Sequence, residues 1–228
     1  MSININGTSI SANDLQEFGL GNIVTDGLVL YLDSAQKHSY PVGGNTWYDL
    51  SGNSNNYTLG ANVTFDTKSV DISSDTFILS DNGGAGGGAL NSSTLTTSST
   101  CTMVFWIKTT DDQALFWGAE PAGYGGSYFV GAFRVGNKEY YGNCGAPDYY
   151  QDLVQKSNIY DNIRDGVWHM VEFKNVDFST WTNQHNFNSY NTFTFNNGYV
   201  GLILLYNKNL SAAESLQNYN STKSRFEI

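Results

Sequence analysis

The acids available for paired-carboxylate chemistry in this 228-residue chain are Glu17, Glu120, Glu139, Glu172, Glu214 and Glu227, with the aspartates. A retaining glycosidase sets two carboxylates about 5–5.5 Å apart, one acting as nucleophile and the other as acid. On one strand that chemistry takes a Glu-x-Asp-x-x-Glu pattern, and none of the six glutamates sits in one. The histidines are His38, His169 and His185, with no His-x-x-x-His or Cys-x-x-Cys spacing for zinc. No Ser or Cys motif near His169 completes a nucleophile–base pair, which favours a structural role for it. The run Gly83-Gly-Ala-Gly-Gly-Gly88 lacks the Lys-Ser/Thr ending and following helix of a phosphate cradle, and reads as a surface loop. Asp33, Asp49 and Asn53 are hard oxygen donors, but no calcium-loop spacing joins them and both residue types are common in turns. The expectation is therefore no catalytic residue, no metal and no cofactor.

Sugar binding is the chemistry that the side chains suit better. It needs aromatic faces beside hydrogen-bonding groups. Trp181, His185, Phe187 and Tyr190 alternate with Asn183, Gln184, Asn186 and Asn188, and are the leading candidates for a glycan platform. Tyr140, Tyr141, Tyr149 and Tyr150 supply a second aromatic loop. The same aromatics could instead fill a core or pack against a protein partner.

The elements that must position these groups are mostly strands. Cys101-Thr-Met-Val-Phe-Trp-Ile-Lys108 alternates cleanly, with Cys101, Met103, Phe105 and Ile107 on one face and Thr102, Val104, Trp106 and Lys108 on the other. Gly27-Leu-Val-Leu-Tyr-Leu-Asp33 is apolar on both faces, placing Leu28, Leu30 and Leu32 opposite Val29 and Tyr31, as an interior strand requires. Further strands are expected at 57–59, 63–66, 69–72, 76–80, 114–117, 127–135, 167–175, 192–195 and 199–206, while 140–150 reads as loop. Ser51-Gly-Asn53 and Asp165-Gly166 are turns. Ser211-Ala-Ala-Glu214 is a capping box that opens a helix over about 212–219.

Two blocks carry a resemblance. The first is Gly27-Leu-Val-Leu-Tyr-Leu-Asp33 followed by Trp47-Tyr-Asp-Leu-Ser-Gly-Asn53. The second is Trp168-His-Met-Val171, Gly201-Leu-Ile-Leu-Leu-Tyr206, Leu210-Ser-Ala-Ala-Glu-Ser-Leu-Gln-Asn-Tyr219 and the closing Lys223-Ser-Arg-Phe226. Together they resemble the laminin-G-like, concanavalin A-like jelly-roll modules of tailed-bacteriophage structural proteins. Residues 85–160 match little of that pattern, and Phe65-Asp66-Thr-Lys-Ser-Val70 departs from its usual strand. The resemblance implies an all-β, two-sheet antiparallel sandwich with one short C-terminal helix, set in a virion. Such modules bind or build rather than catalyse.

Bulk properties narrow the partners. Twenty-one acidic residues against eleven basic ones give a net charge of −10, which repels a nucleic-acid backbone, and no Lys/Arg cluster suits an anionic membrane. Cys101 and Cys144 make no disulfide framework, although a bridge between them stays open; Cys101 reads as a buried thiol. No signal peptide or membrane span is legible. Residues 1–25 read as a lead-in strand or as an arm that docks on a neighbouring subunit or particle, and residues 26–228 as the sandwich. The expected function is a virion protein assembled in a host cytoplasm: a decoration, fibre-base or tail accessory protein. It would hold capsid or tail proteins through the N-terminal segment or a sheet face, and self-association stays open. The alternative is a lectin-like module for host surface glycan.

Overall fold

A computed structural model describes backbone and side chains over residues 23–41, 44–58, 95–110, 143–157, 163–181, 199–226 and 228. It describes backbone alone over 2–5, 8–11, 63–66, 76–79, 90–92, 115–119, 128–134, 137–142, 185–187 and 198. The strands are Ser2–Ile5 (β1), Thr8–Ser11 (β2), Leu28–Asp33 (β3), Thr46–Trp47 (β4), Tyr57–Thr58 (β5), Val63–Asp66 (β6), Thr76–Leu79 (β7), Leu90–Ser92 (β8) and Cys101–Thr109 (β9). They continue with Leu115–Ala119 (β10), Tyr128–Arg134 (β11), Asn137–Gly142 (β12), Asp148–Gln151 (β13), Val154–Gln155 (β14), Trp168–Val176 (β15), His185–Phe187 (β16) and Gly198–Tyr206 (β17). A helix follows at Ala212–Thr222 (α1), then a 3-10 turn at Lys223–Phe226.

All described pairings are antiparallel. The smaller sheet runs β12-β11-β10-β16-β8-β5-β4, and the larger runs β14-β13-β15-β9-β17-β7-β6, with β3 beside β7 along β17. β1 and β2 form a separate two-stranded sheet. The chain is thus an all-β, two-sheet sandwich with one C-terminal helix.

The alternation along β9 divides two apolar layers. Cys101, Met103, Phe105 and Ile107 join Trp47, Tyr57, Val171, Phe173 and Ile203 in the layer shared by the two sheets. Val104 and Trp106 join Met170, Leu202, Leu204, Tyr206, Leu210 and Phe226 in the outer layer, against α1. The capping box forms as its spacing dictates: Glu214 N donates to Ser211 Oγ, while Ser211 N donates to Glu214 Oε2 at 2.8 Å. α1 runs past the expected residue 219 to Thr222, and its buried residues Ser215, Asn218 and Thr222 are polar. Trp106 Nε1 donates to Thr222 Oγ1 at 2.8 Å, and Asn218 Nδ2 donates to Tyr206 Oη at 3.0 Å. Arg225 Nη1, just beyond, donates to Asp33 Oδ2 at 2.6 Å, tying the chain's tail to the end of β3.

Several sequence expectations change. The 140–150 segment is not a loop throughout: it contributes to β12 and β13, and Tyr149 is buried against Phe173. Leu28 does not share a face with Leu30 and Leu32. Tyr206 pairs with Leu28 and Leu205 with Leu30, so Val29 is an extra residue on β3, and this bulge turns Leu28 to the outer layer. Ile23 and Val24 already belong to the outer layer, so the sandwich's packing starts before residue 26. No disulfide joins Cys101 and Cys144, which both lie in the core. The expectations at 13–17, 69–72, 83–88 and 192–195 lie outside the described residues.

Candidate functional site

The first resembling block builds the site from local chemistry. Asp49, fixed after Trp47 and Tyr48, accepts from the backbone of Tyr31, Ser51 and Asn55, each at 2.9 Å. Burial pushes its carboxyl pKa up, and these hydrogen bonds partly offset the rise. Its acceptors therefore pin the 51–55 turn to β3, and Gly52 takes the positive φ of 90° that the turn needs. The bulge at Val29 leaves that residue's carbonyl facing the turn. Ser51 Oγ lies 3.0 Å from Val29 O and 2.7 Å from Asp49 Oδ2, sharing one proton between them. Asn55 Nδ2 donates to Val29 O at 2.9 Å, and Asn53 Nδ2 donates to Leu28 O and Val29 O at 3.0 and 3.1 Å.

A cavity of about 340 Å³ opens beside this turn, lined by Thr25, Gly27, Leu28, Val29, Asn53, Asn55, Thr96 and Asn207. Three amides and two hydroxyls surround a small aliphatic floor. None of the lining side chains is charged. Gly27 adopts φ +75°, and a Cβ there would lie 3.0 Å from Asn207 Oδ1, so this close approach suits glycine. Asn207 N donates to Gly27 O at 2.9 Å, which fixes the far wall where β17 ends. Its volume lies within the range of small-ligand sites, while its lining is mostly polar.

The residues expected to form a glycan platform lie elsewhere. Trp181 is only 3 % exposed; its Nε1 donates to Asn143 O at 2.7 Å and its ring packs edge-on against Phe178, 4.4 Å away. Both ends of the indole are thereby occupied inside the core, which corrects the expectation that its face is open to a sugar. His185 and Phe187 lie on β16, the middle strand of the smaller sheet rather than a rim loop, paired with β10 and β8. Tyr190 lies outside the described residues. Of the lining residues, Asn53 is the one that the sequence marks, as an oxygen donor; Thr25, Thr96 and Asn207 are isolated polar residues with no spacing that signals a site.

Several other chemistry-bearing groups among the described residues are committed to the fold. Asp33 is fully buried and accepts from Tyr31 Oη and from both terminal nitrogens of Arg225. It and Asp49 are thus occupied by protein donors. Glu172 is 1 % exposed beneath α1; its carboxylate makes no hydrogen bond of normal geometry among the described residues, although the Ser215 hydroxyl lies near enough to favour its charged form. Burial pushes its pKa up, against the opposing pull of Lys174 and Ser215. Lys174 itself donates to Leu210 O and Ser215 Oγ at 3.0 and 2.8 Å. Glu214, the other glutamate with a described side chain, is held down to about 2 by Lys208 and by the Ser211 cap. His169 sits with Nδ1 2.6 Å from Asp152 and Nε2 3.2 Å from Asp165. That arrangement fastens two turns to β15.

No protein-family model matches the chain, and no curated protein matches it. Solved structures do. The binding domain of Paraclostridial Mosquitocidal Protein 1 superposes with a TM-score of 0.50 at 13% identity, over 88% of this chain and 53% of that one. The botulinum neurotoxin serotype D binding domain gives 0.52 at 16% identity, over 88% and 52%. Trypanosoma rangeli sialidase in complex with sialic acid gives 0.50 at 14% identity, over 89% and 34%. The chain thus spans about half of each binding domain and about a third of the sialidase. Similarity at these identities establishes a shared β-sandwich fold.

Proposed function

We propose that this chain is a binding module that holds a sugar by its hydroxyls in the cavity beside the 51–55 turn, acting by adhesion and not by turnover. The observation that carries the reading is the lining: Asn53, Asn55, Asn207, Thr25 and Thr96 around Leu28 and Val29, with no charged side chain among them. Amides and hydroxyls match the alternating donors and acceptors of a polyol, and a small aliphatic floor suits the C–H face of a ring. The comparisons lend support, since similar structures include a toxin receptor binding domain and a sialidase holding sialic acid. The test is titration calorimetry against a glycan panel with wild type and Asn207→Ala. Asn207 is exposed and its side chain sits at the mouth, so the variant should fold normally and lose about tenfold in affinity, the equivalent of one net hydrogen bond. Binding of equal strength in the variant would remove the cavity from the reading.

A virion setting is the second element of the proposal. It is supported by the resemblance of residues 27–60 and 163–226 to phage jelly-roll modules, and by the two-stranded sheet of β1 and β2, which shares no ladder with the sandwich among the described residues. Such a hairpin is a means of attachment to a capsid or tail protein. Deleting residues 1–22 should abolish incorporation into particles while leaving sugar affinity unchanged; particles that still carry the truncated chain would refute it.

A further inference from the structure

The hydrogen bonds around the cavity also fix which sugars it takes. An amide offers two donors on nitrogen and acceptor capacity on oxygen. In Asn53 the nitrogen is committed to Leu28 O, Val29 O and Ser51 Oγ, and in Asn55 to Val29 O. Leu28 O and Val29 O are backbone carbonyls of β3 and can only accept, so neither amide can turn over without facing oxygen to oxygen. No donor among the described residues reaches either Oδ1. Both amides therefore keep an unengaged carbonyl oxygen, and Asn55 keeps one N–H as well, so acceptors outnumber donors on the turn side of the site.

Charge at the mouth points the same way. Asp26 and Lys208 adjoin the lining residues Gly27 and Asn207 in sequence. Lys208 Nζ contacts Asp26 Oδ2 and lies 2.7 Å from Glu214 Oε1. Two carboxylates thus surround one ammonium, leaving the rim net negative, and the lining adds no Lys, Arg or His to receive an anion. A carboxylated sugar whose charged group lies on the turn side would meet the acceptor oxygens of Asn53 and Asn55 and approach a negative rim, with only neutral donors from Thr25, Thr96 and Asn207 to offset it. A neutral sugar presents O–H donors to the same two oxygens.

Resting on the sugar-binding reading, we infer that the cavity selects neutral, hydroxyl-donating saccharides and rejects those bearing a carboxylate. This departs from what the sialidase complex alone would suggest. The experiment uses the full chain on a printed panel of neutral hexose and N-acetylhexosamine oligosaccharides, each beside a counterpart carrying one terminal sialic or uronic acid, at low salt. The expected result is at least about a tenfold preference for the neutral member, from one unmatched charged group. Thr96→Arg, at an exposed lining position, places a cation in the cavity and should narrow that ratio without impairing folding. Equal or reversed preference overturns the selectivity but leaves sugar binding standing. An unchanged ratio in Thr96→Arg also overturns it, because discrimination would then arise outside this cavity. Binding to no saccharide overturns both readings.

Discussion

Gly201→Ala should loosen the C-terminal tail from the sheet, and the structure sets the scale. In β17 Val200 pairs with Ile107 and Leu202 with Trp106, so Gly201 is the extra residue of a bulge. It faces the outer layer, where a Cβ would lie 2.4 Å from Phe226 Cε1 and 2.9 Å from Cζ. Comfortable carbon–carbon contact is about 3.5–4.0 Å, so the ring would have to retreat by about 1 Å. It has little room, being 3 % exposed, stacked on Trp106 at 4.4 Å and set against Trp168 at 4.8 Å. Overpacking of this kind costs about 1–3 kcal/mol. Phe226→Ala alone should cost about 3–5 kcal/mol, since it vacates a buried aromatic site. If the clash is the whole of the first effect, Gly201→Ala costs nothing once the ring is gone, and the double variant should also lose only about 3–5 kcal/mol. The sum of the single variants would be about 4–8 kcal/mol, giving a coupling of about 1–3 kcal/mol. Urea unfolding followed by tryptophan fluorescence and far-ultraviolet circular dichroism, with m-values matched between variants, measures each corner. Additivity within about 0.5 kcal/mol would refute the argument, because Gly201 would then matter for its backbone and not for the space above it.

Two further expectations concern pH. Burial by itself lowers the His169 pKa, but hydrogen bonds and charge from Asp152 and Asp165 more than reverse it, so the folded value stands above the ordinary one. A raised folded pKa contributes stability that is fully present below the unfolded value of about 6.5 and is lost as pH rises through the folded value. The urea midpoint should therefore fall across that window in wild type, and this component should vanish in His169→Gln; an identical slope in the variant would place the linkage elsewhere. Glu172 has the opposite consequence for a carboxylate: burial raises its folded pKa, so ionisation works against the fold as pH climbs from the unfolded value of about 4.3 upward. Glu172→Gln should gain stability relative to wild type between pH 4 and pH 8, as read from paired thermal melts, and a gap independent of pH would disprove the assignment.

Much of the architecture was legible because it depends on neighbours along the chain. The inward and outward residues of β9 follow from a period of two, the helix start from Ser211 and Glu214 three residues apart, and the Ser51-Gly-Asn53 turn from residues that tolerate its backbone. These are local preferences, and no distant partner is needed to express them. The bulges at Val29 and Gly201 are different: an extra residue exists only relative to the strand it fails to match, and each reverses the faces beyond it.

The site belongs to that second kind. Asn53 and Asn55 are turn residues in sequence, and their amide nitrogens are fixed only because the bulge turns the Val29 carbonyl toward them. Trp181 looked like a binding platform on residue type, and the packing of Phe178 and the carbonyl of Asn143 made it part of the core. The amino-acid order by itself determined most of the strands, the turns and the capped helix. Tertiary structure decided which amides meet Thr25, Thr96 and Asn207 around one cavity, because groups that far apart in the chain are brought together only by the register of β3 against β17.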